Sequence, residues 1–359
     1  MGMDIDAIFY DAVDLLKDMI RTESFSRNEE AVADLIDAYL KGKGYSPNRE
    51  GNNIWLLSPD FDSVKPTILL NSHIDTVKPV SVWTKDPFWA ELEEDMLYGL
   101  GSNDAGASLV SLMHSFFKLT EKKQNYNLIF LASCEEEVSG KGGVELALTK
   151  LPVVPDFAIV GEPTGMHPAI AEKGLMVLDC ISHGVSGHAA RNEGENAIYK
   201  ALKDIEWFKT FDFPKKSDLL GSVKMSVTMI NSGTQHNVVP DKCEFVVDIR
   251  SNECYSNQEL FEIIDKSTEC EVKARSFRLN SSSISLDNPF VKRATMIGRE
   301  PYGSPTLSDQ ALMPFPSVKM GPGESARSHT ANEYILLSEI REAIEFYIKL
   351  LDGLQIGVE

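Results

Sequence analysis

Four apolar runs in this 359-residue chain stop on residues that a buried strand does not ordinarily end with. TILLN (67–71) runs into Ser-His-Ile-Asp, NLIFLAS (127–133) into Cys-Glu-Glu-Glu, FAIVG (157–161) into Glu-Pro-Thr, and PSVKMG (316–321) into a Pro-Gly turn. Short, leucine-rich and β-branched runs of this kind read as strands buried on both faces. Helical stretches such as ASLVSLMHSFFKLTEK lie between them. Strands alternating with helices predict an α/β fold, with a mostly parallel sheet carrying helices on both faces.

The pattern changes over 174–281. There the apolar spacing gives strand KGLMVLDCISHG, helix NAIYKALKDIEWFKT, strands SVKMSVTMIN and KCEFVVDIRS, helix SNQELFEIIDKS and strand CEVKARSFRLN. This βαββαβ order is the ferredoxin-like split βαβ unit, which closes its own small core. A chain this long also exceeds what one core comfortably organises. We therefore expect a catalytic domain of residues 1–173 and 285–359, interrupted by an inserted domain of residues 174–284. The last helix is expected to pack through Ile340, Ile344 and Ile348, and the opening amphipathic stretch carries Ile8, Val13, Leu16 and Ile20 near helical spacing. The polar segments 45–53, 210–220 and 279–288 read as loops.

Charge and cysteine usage narrow the classes. With 35 basic and 54 acidic residues the net charge is -19, a field that repels nucleic acid and anionic membranes. No apolar run reaches the roughly 20 residues of a membrane helix, and the acidic start is unlike an export signal. Five cysteines without CxxC spacing argue against a disulfide framework, so a cytoplasmic protein is expected. Neither a GxSxG elbow nor a GxGxxG or GxxxxGK phosphate loop occurs.

Ligand sites in open α/β sheets form beyond the carboxyl ends of the strands. Here those ends deliver His73 and Asp75, then Glu135, Glu136 and Glu137, then Glu162, and a GPG loop leading to His329. The glycine-punctuated YGLGSNDAGAS (98–108) adds Asp104. Together His73, Asp104, Glu137, Glu162 and His329 form a nitrogen and oxygen donor set suited to zinc, with one carboxylate able to bridge two ions. Asp75, two residues past His73, is expected to accept a hydrogen bond from the ring nitrogen that does not bind metal.

The ordered series SHID, GLGSND, CEEEV, VGEPT, GVSGHAA, NVVP and the GPG loop ending at His329 resembles the dinuclear zinc deacylase and carboxypeptidase family. That family includes acetylornithine deacetylase, succinyl-diaminopimelate desuccinylase, aminoacylase and glutamate carboxypeptidase. The resemblance implies a zinc exopeptidase-like fold, with the inserted domain acting as lid and dimerisation domain. It implies two zinc ions per subunit, with cobalt or manganese able to substitute: His73 and Glu162 on one, Glu137 and His329 on the other, and Asp104 between them. Glu136 falls on the family's general base, and Glu135 is expected to be supporting. His188 matches a histidine that stabilises the oxyanion in a neighbouring subunit, which implies a homodimer. Asn237 and Arg250 sit where relatives hold the substrate.

The sequence departs from the commoner pattern at Leu100, where many relatives have arginine, and at Ala105 and Gly106, which replace a Met-Lys pair. The expectation is an acetylornithine deacetylase-like enzyme of arginine biosynthesis that cleaves the amide of a small N-acyl-L-amino acid, N-acetylornithine or N-acetylcitrulline. A succinyl-diaminopimelate desuccinylase-like enzyme, a metallo-dipeptidase or carboxypeptidase, and a non-catalytic metal-binding module are the alternatives.

Overall fold

The computed structural model describes residues 4–191 and 193–356; the first three residues of the opening amphipathic stretch lie outside them. The chain parts into two compact units. One runs to Ile170 and resumes over Ile284–Tyr302 and from Ser308; the other comprises Ala171–Ser283 and Gly303–Leu307. The short return segment joins the second unit where the Lys173 amide donates to the Ser304 carbonyl at 3.1 Å.

The first unit is built on a sheet whose four central strands, Asn127–Ser133, Thr67–His73, Phe157–Val160 and Ser317–Lys319, pair in that order and run parallel. Asn53–Leu57 adds antiparallel beside Asn127–Ser133. The apolar runs are continuous because both faces are covered. Ile68, Leu70, Leu128, Phe130, Phe157 and Ile159 face one layer, and the intervening Leu69, Ile129, Leu131, Ala158 and Val160 face another. Helices Ile5–Ile20, Glu30–Gly42, Ala107–Thr120 and Leu337–Leu351 cover the first face, and Val144–Leu148 lies on the second.

Helix Ala107–Thr120 contains serines and a valine that favour helix only weakly. Burial settles the matter: Leu109, Leu112, Met113, Phe116 and Phe117 are all buried, each worth about 1.5–3 kcal/mol. The final helix buries Ile340 and Ile344 and packs Ile348 at its margin.

Three features depart from expectation, the first being residues 279–288, read as a loop but containing strand Ser282–Ser283, which pairs antiparallel with Glu172 and Ala171. Residues 45–53, expected as a loop, contain strand Asn48–Glu50, which turns through Gly51 at φ 59° into Asn53–Leu57. It lies at the end of the sheet with its side chains exposed or half-buried, so they are polar and show no apolar run. The sequence also gave no warning of the small antiparallel sheet formed by Glu91–Glu93, Met96–Tyr98 and Tyr334–Leu336, which anchors two loops of the site described below.

The second unit has a four-stranded antiparallel sheet in the order Lys224–Ser232, Lys242–Arg250, Met176–His183, Glu271–Ala274. This is the strand order of a split βαβ unit. Alternate residues Met176, Leu178, Cys180, Phe245, Val247 and Ile249 form its core with Phe208, Leu260 and Ile264 of helices Ala197–Thr210 and Asn257–Ser267. Among the described residues no helix is long and apolar enough to cross a membrane.

Candidate metal centre

Parallel pairing in register (His73 beside Ser133, Asn71 beside Val160, Lys319 beside Val160) brings four strand ends to one edge of the sheet. His73 ends its strand, and Glu136, Glu137 and Glu162 lie just beyond theirs. Asp104 is carried by the turn Ser102–Gly106, which leads directly into helix Ala107–Thr120. His329, at φ 58°, follows the GPG loop.

The five side chains converge. His73 Nε2 lies 3.2 Å from Asp104 Oδ1 and 3.7 Å from Glu162 Oε1. His329 Nε2 lies 3.0 Å from Glu137 Oε2 and 3.6 Å from Asp104 Oδ2. The two oxygens of Asp104 thus face the two imidazoles from opposite sides. His73, Asp104 and Glu137 each offer an atom within 4.8 Å of one another, as do His73, Glu136 and Glu162.

Crowded charge distorts the proton affinities. Burial pushes Glu162 up to about 8, with the Asp104 carboxylate adding to it and His73 and Lys319 opposing. Burial likewise drives Glu136 well above the usual carboxyl range, reinforced by Glu162, Asp309 and Glu137. Burial works against charge on His73, but Asp104, Glu136, Glu162 and Asp75 hold its imidazole well above the ordinary value. The hydrogen bond to Glu137 raises His329 to about 9. Carboxylates gathered this closely repel one another, and two imidazoles alone offset them incompletely. A pair of divalent cations would satisfy the same donors, and the set of two imidazoles and three carboxylates, with Glu136 beside them, fits zinc.

Asp75 corrects one expectation. His73 Nδ1 bonds the main-chain oxygen of Asp75 at 2.8 Å, while the Asp75 carboxylate stands 3.7 Å away. The strand stops at His73, and beyond it the Asp75 main-chain oxygen comes nearer the ring than its carboxylate does. The carboxylate is drawn instead to the amides of Glu136 (3.0 Å) and Glu137 (3.1 Å) and to the Ser26 hydroxyl (2.7 Å). Asp75 therefore fixes the main chain of the EEE segment. Glu135 accepts from the Gly142 amide at 3.4 Å, and its own amide donates to Glu29 at 3.2 Å.

Sequence reasoning missed Ser26, Asp309 and Glu333. Asp309 is buried and accepts from Ser133 at 2.6 Å, and burial pushes it up to about 7. None of the three follows the carboxyl end of one of the central strands in sequence, and each reaches the site from a separate segment.

His188, Asn237 and Arg250 belong to the second unit. Gly187–His188 pairs antiparallel with Val238–Val239, and the Ala189 amide donates to the Asn237 carbonyl at 3.0 Å, so His188 and Asn237 are neighbours. The His188 ring is exposed, and its Nδ1 accepts from the Ala190 amide at 3.1 Å. Arg250 is held by Asp248 through two bonds of 2.8 and 3.1 Å.

The sequence profile of peptidase family M20/M25/M40 matches residues 69–353. The chain belongs to this family. Among curated relatives, this M20 protein is 27% identical over 376 residues to acetylornithine deacetylase of Proteus mirabilis, covering 95% of the chain and 96% of the relative. It is 26% identical over 359 residues to a protein of Mycobacterium tuberculosis described as a putative succinyl-diaminopimelate desuccinylase, covering 96% and 98%. Its fold matches the Bacillus subtilis YXEP protein, described as a dinuclear metal binding peptidase of the M20 family, with TM-score 0.72 and 16% identity over 97% of this chain and all of that one. This M20 chain is accordingly a hydrolase of the peptidase and amidohydrolase type.

Proposed function

We propose that this M20 hydrolase cleaves the amide bond of a small N-acyl-L-amino acid with two zinc ions per chain, as an acetylornithine deacetylase-like enzyme of the cytoplasm. One observation carries the reading: Asp104 sets one oxygen 3.2 Å from His73 and the other 3.6 Å from His329, with Glu162 and Glu137 each beside one of those imidazoles. His73, Glu162, Asp104, Glu137 and His329 would hold the two ions. Bound there, zinc supplies Lewis acidity to the scissile carbonyl and brings water to nucleophilic strength near neutral pH.

The remaining work belongs to side chains. Glu136, whose amide is fixed by Asp75, takes the proton of the attacking water and returns it to the leaving amine. Its raised proton affinity suits a group that must both take and give. His188, with Nδ1 already accepting a bond, presents Nε2–H when neutral, which suits it to stabilise an oxyanion in the site of a second copy. Asn237 and Arg250 bind the substrate, with its carboxylate displacing Asp248 from the guanidinium.

Two exposed apolar elements of the second unit support pairing of copies. Lys224–Ser232 is an edge strand with Met229 65% and Ile230 56% exposed, and Tyr199 and Leu202 on helix Ala197–Thr210 are 69% and 52% exposed. An edge of this kind invites pairing. Light scattering that returns the mass of a single chain would remove the homodimer from the reading.

Leu100, Ala105 and Gly106 leave no cation on the Asp104 loop, which favours N-acetylornithine or N-acetylcitrulline over a succinylated substrate. The test is turnover of acetylornithine, acetylcitrulline, succinyl-diaminopimelate and a set of dipeptides by zinc-loaded enzyme. An acetylated amino acid is expected to give the highest kcat/KM. Faster cleavage of dipeptides would reassign the enzyme as a metallo-dipeptidase.

A further inference from the structure

We infer that Glu333 is the positioning residue that locks the bridging carboxylate to the His329 segment. This rests on the two-metal reading above and adds to it a residue outside the donor set. Glu333 is 2% exposed and lies four residues beyond His329. Its Oε1 accepts from the amides of Asn103 and Asp104, both at 2.9 Å, and its Oε2 from the amide of Gly101 at 3.2 Å. Its own carbonyl accepts from Gly99 at 3.0 Å.

Those amides lie just before helix Ala107–Thr120, buried at Gly101 and Asn103 and half-buried at Asp104, so each needs an acceptor. A buried carboxylate is likewise costly unless several donors surround it. Three amides and one carboxyl group meet both needs at once, and the outcome is a fixed main-chain path leading into Asp104.

The clamp is reciprocal. Asn103 Nδ2 donates to the Glu324 carbonyl at 3.1 Å and to Ser328 Oγ at 3.2 Å, and its Oδ1 accepts from the Glu324 amide at 3.1 Å. Gly323 permits this approach, because a Cβ there would stand 2.2 Å from Asn103 Oδ1. Segments 99–104 and 323–333 are thereby joined just before Asp104 and on both sides of His329, which couples the positions of the two donors.

In Glu333→Gln the amide oxygen still accepts from residues 103 and 104, but Nε2 then faces the Gly101 N–H, donor against donor. Zinc affinity, read by competition with a chelating dye, is expected to fall about 10–100-fold, the range for loss of an outer partner of a metal ligand. At saturating zinc, kcat is expected to fall about tenfold while KM changes less than about twofold. Glu333→Asp keeps the carboxyl group but not the reach, and is expected to show an intermediate loss; it carries the test if the glutamine variant does not fold. Tyr347→Phe, which removes a buried hydroxyl bonded to Met320 away from this turn, is expected to bind zinc as wild type does. Zinc affinity within twofold of wild type in Glu333→Gln, or in Glu333→Asp if only that variant folds, would overturn the role of Glu333 alone. Failure of the wild-type protein to bind zinc or hydrolyse any substrate in the same assays would overturn the reading of the site beneath it.

Discussion

Glu136→Gln is expected to retain about two zinc ions per chain while losing about 10²–10⁴ of turnover, the usual contribution of a positioned general base. The substitution is nearly isosteric, and the contact that orients this residue runs from its backbone amide to Asp75, so the loop is not disturbed. His73, Asp104, Glu137, Glu162 and His329 all remain. Only the capacity to carry a proton is removed. The loss should fall on kcat rather than KM, because the proton transfer strengthens in the transition state. The variant also resolves an ambiguity in the geometry: Glu136 offers an oxygen within 4.8 Å of donors from His73 and Glu162, close enough for a ligand. If metal analysis finds zinc lost along with activity, Glu136 is a ligand and the base lies elsewhere. If activity survives, Glu136 carries no essential proton.

The central strands and the charged residues beyond them were legible because a strand buried on both faces leaves an uninterrupted apolar run, and any ionisable group at its end stands out. Thr67–His73 and Asn127–Ser133 are such cases. The inserted unit was legible for a related reason: alternation in Lys242–Arg250, with Cys243, Phe245, Val247 and Ile249 buried, marks a sheet covered on one face only. What escaped was whatever depends on main-chain hydrogen bonding between distant segments. Glu333 reads as an ordinary acidic residue in ANEY, and nothing within the chain's local pattern says that its carboxylate meets amides 230 positions earlier. The small sheet joining Met96–Tyr98 to Tyr334–Leu336 failed to register because three-residue strands are too short to show a period. Asp75 lies beside His73 as expected but with another contact, since its carboxylate is taken up by the amides of Glu136 and Glu137 and by Ser26.

These misses share a direction. The donor side chains announce themselves by type, while the groups that hold them do so through backbone amides, which carry no sequence signature. Ser26 and Asp75 support the EEE segment, and Glu333 and Asn103 support the turn around Asp104. Preorganisation of this kind matters because a site loose by an ångström loses much of its catalytic advantage.

Asp104→Ala is expected to be more damaging to metal content than loss of either histidine. His73 and His329 each face one side of the cluster, whereas Asp104 faces both. Burial works against its charge, yet His73 and His329 hold its carboxyl below the usual range, so it is the anion that the two imidazoles share. Without it, His73 and Glu162 stand on one side and His329 and Glu137 on the other with no common donor. The cost in zinc affinity should therefore exceed the about 10–100-fold that follows loss of an outer partner. Gel-filtered protein is expected to hold fewer than the about two ions proposed for the wild-type chain, and added zinc is not expected to restore turnover. His329→Ala, by contrast, removes a donor from one side only and is expected to keep the ion beside His73 and Glu162. Metal analysis of the two variants side by side decides the matter: equal losses would mean that Asp104 is not shared, and the arrangement of the site would have to be redrawn around two independent clusters.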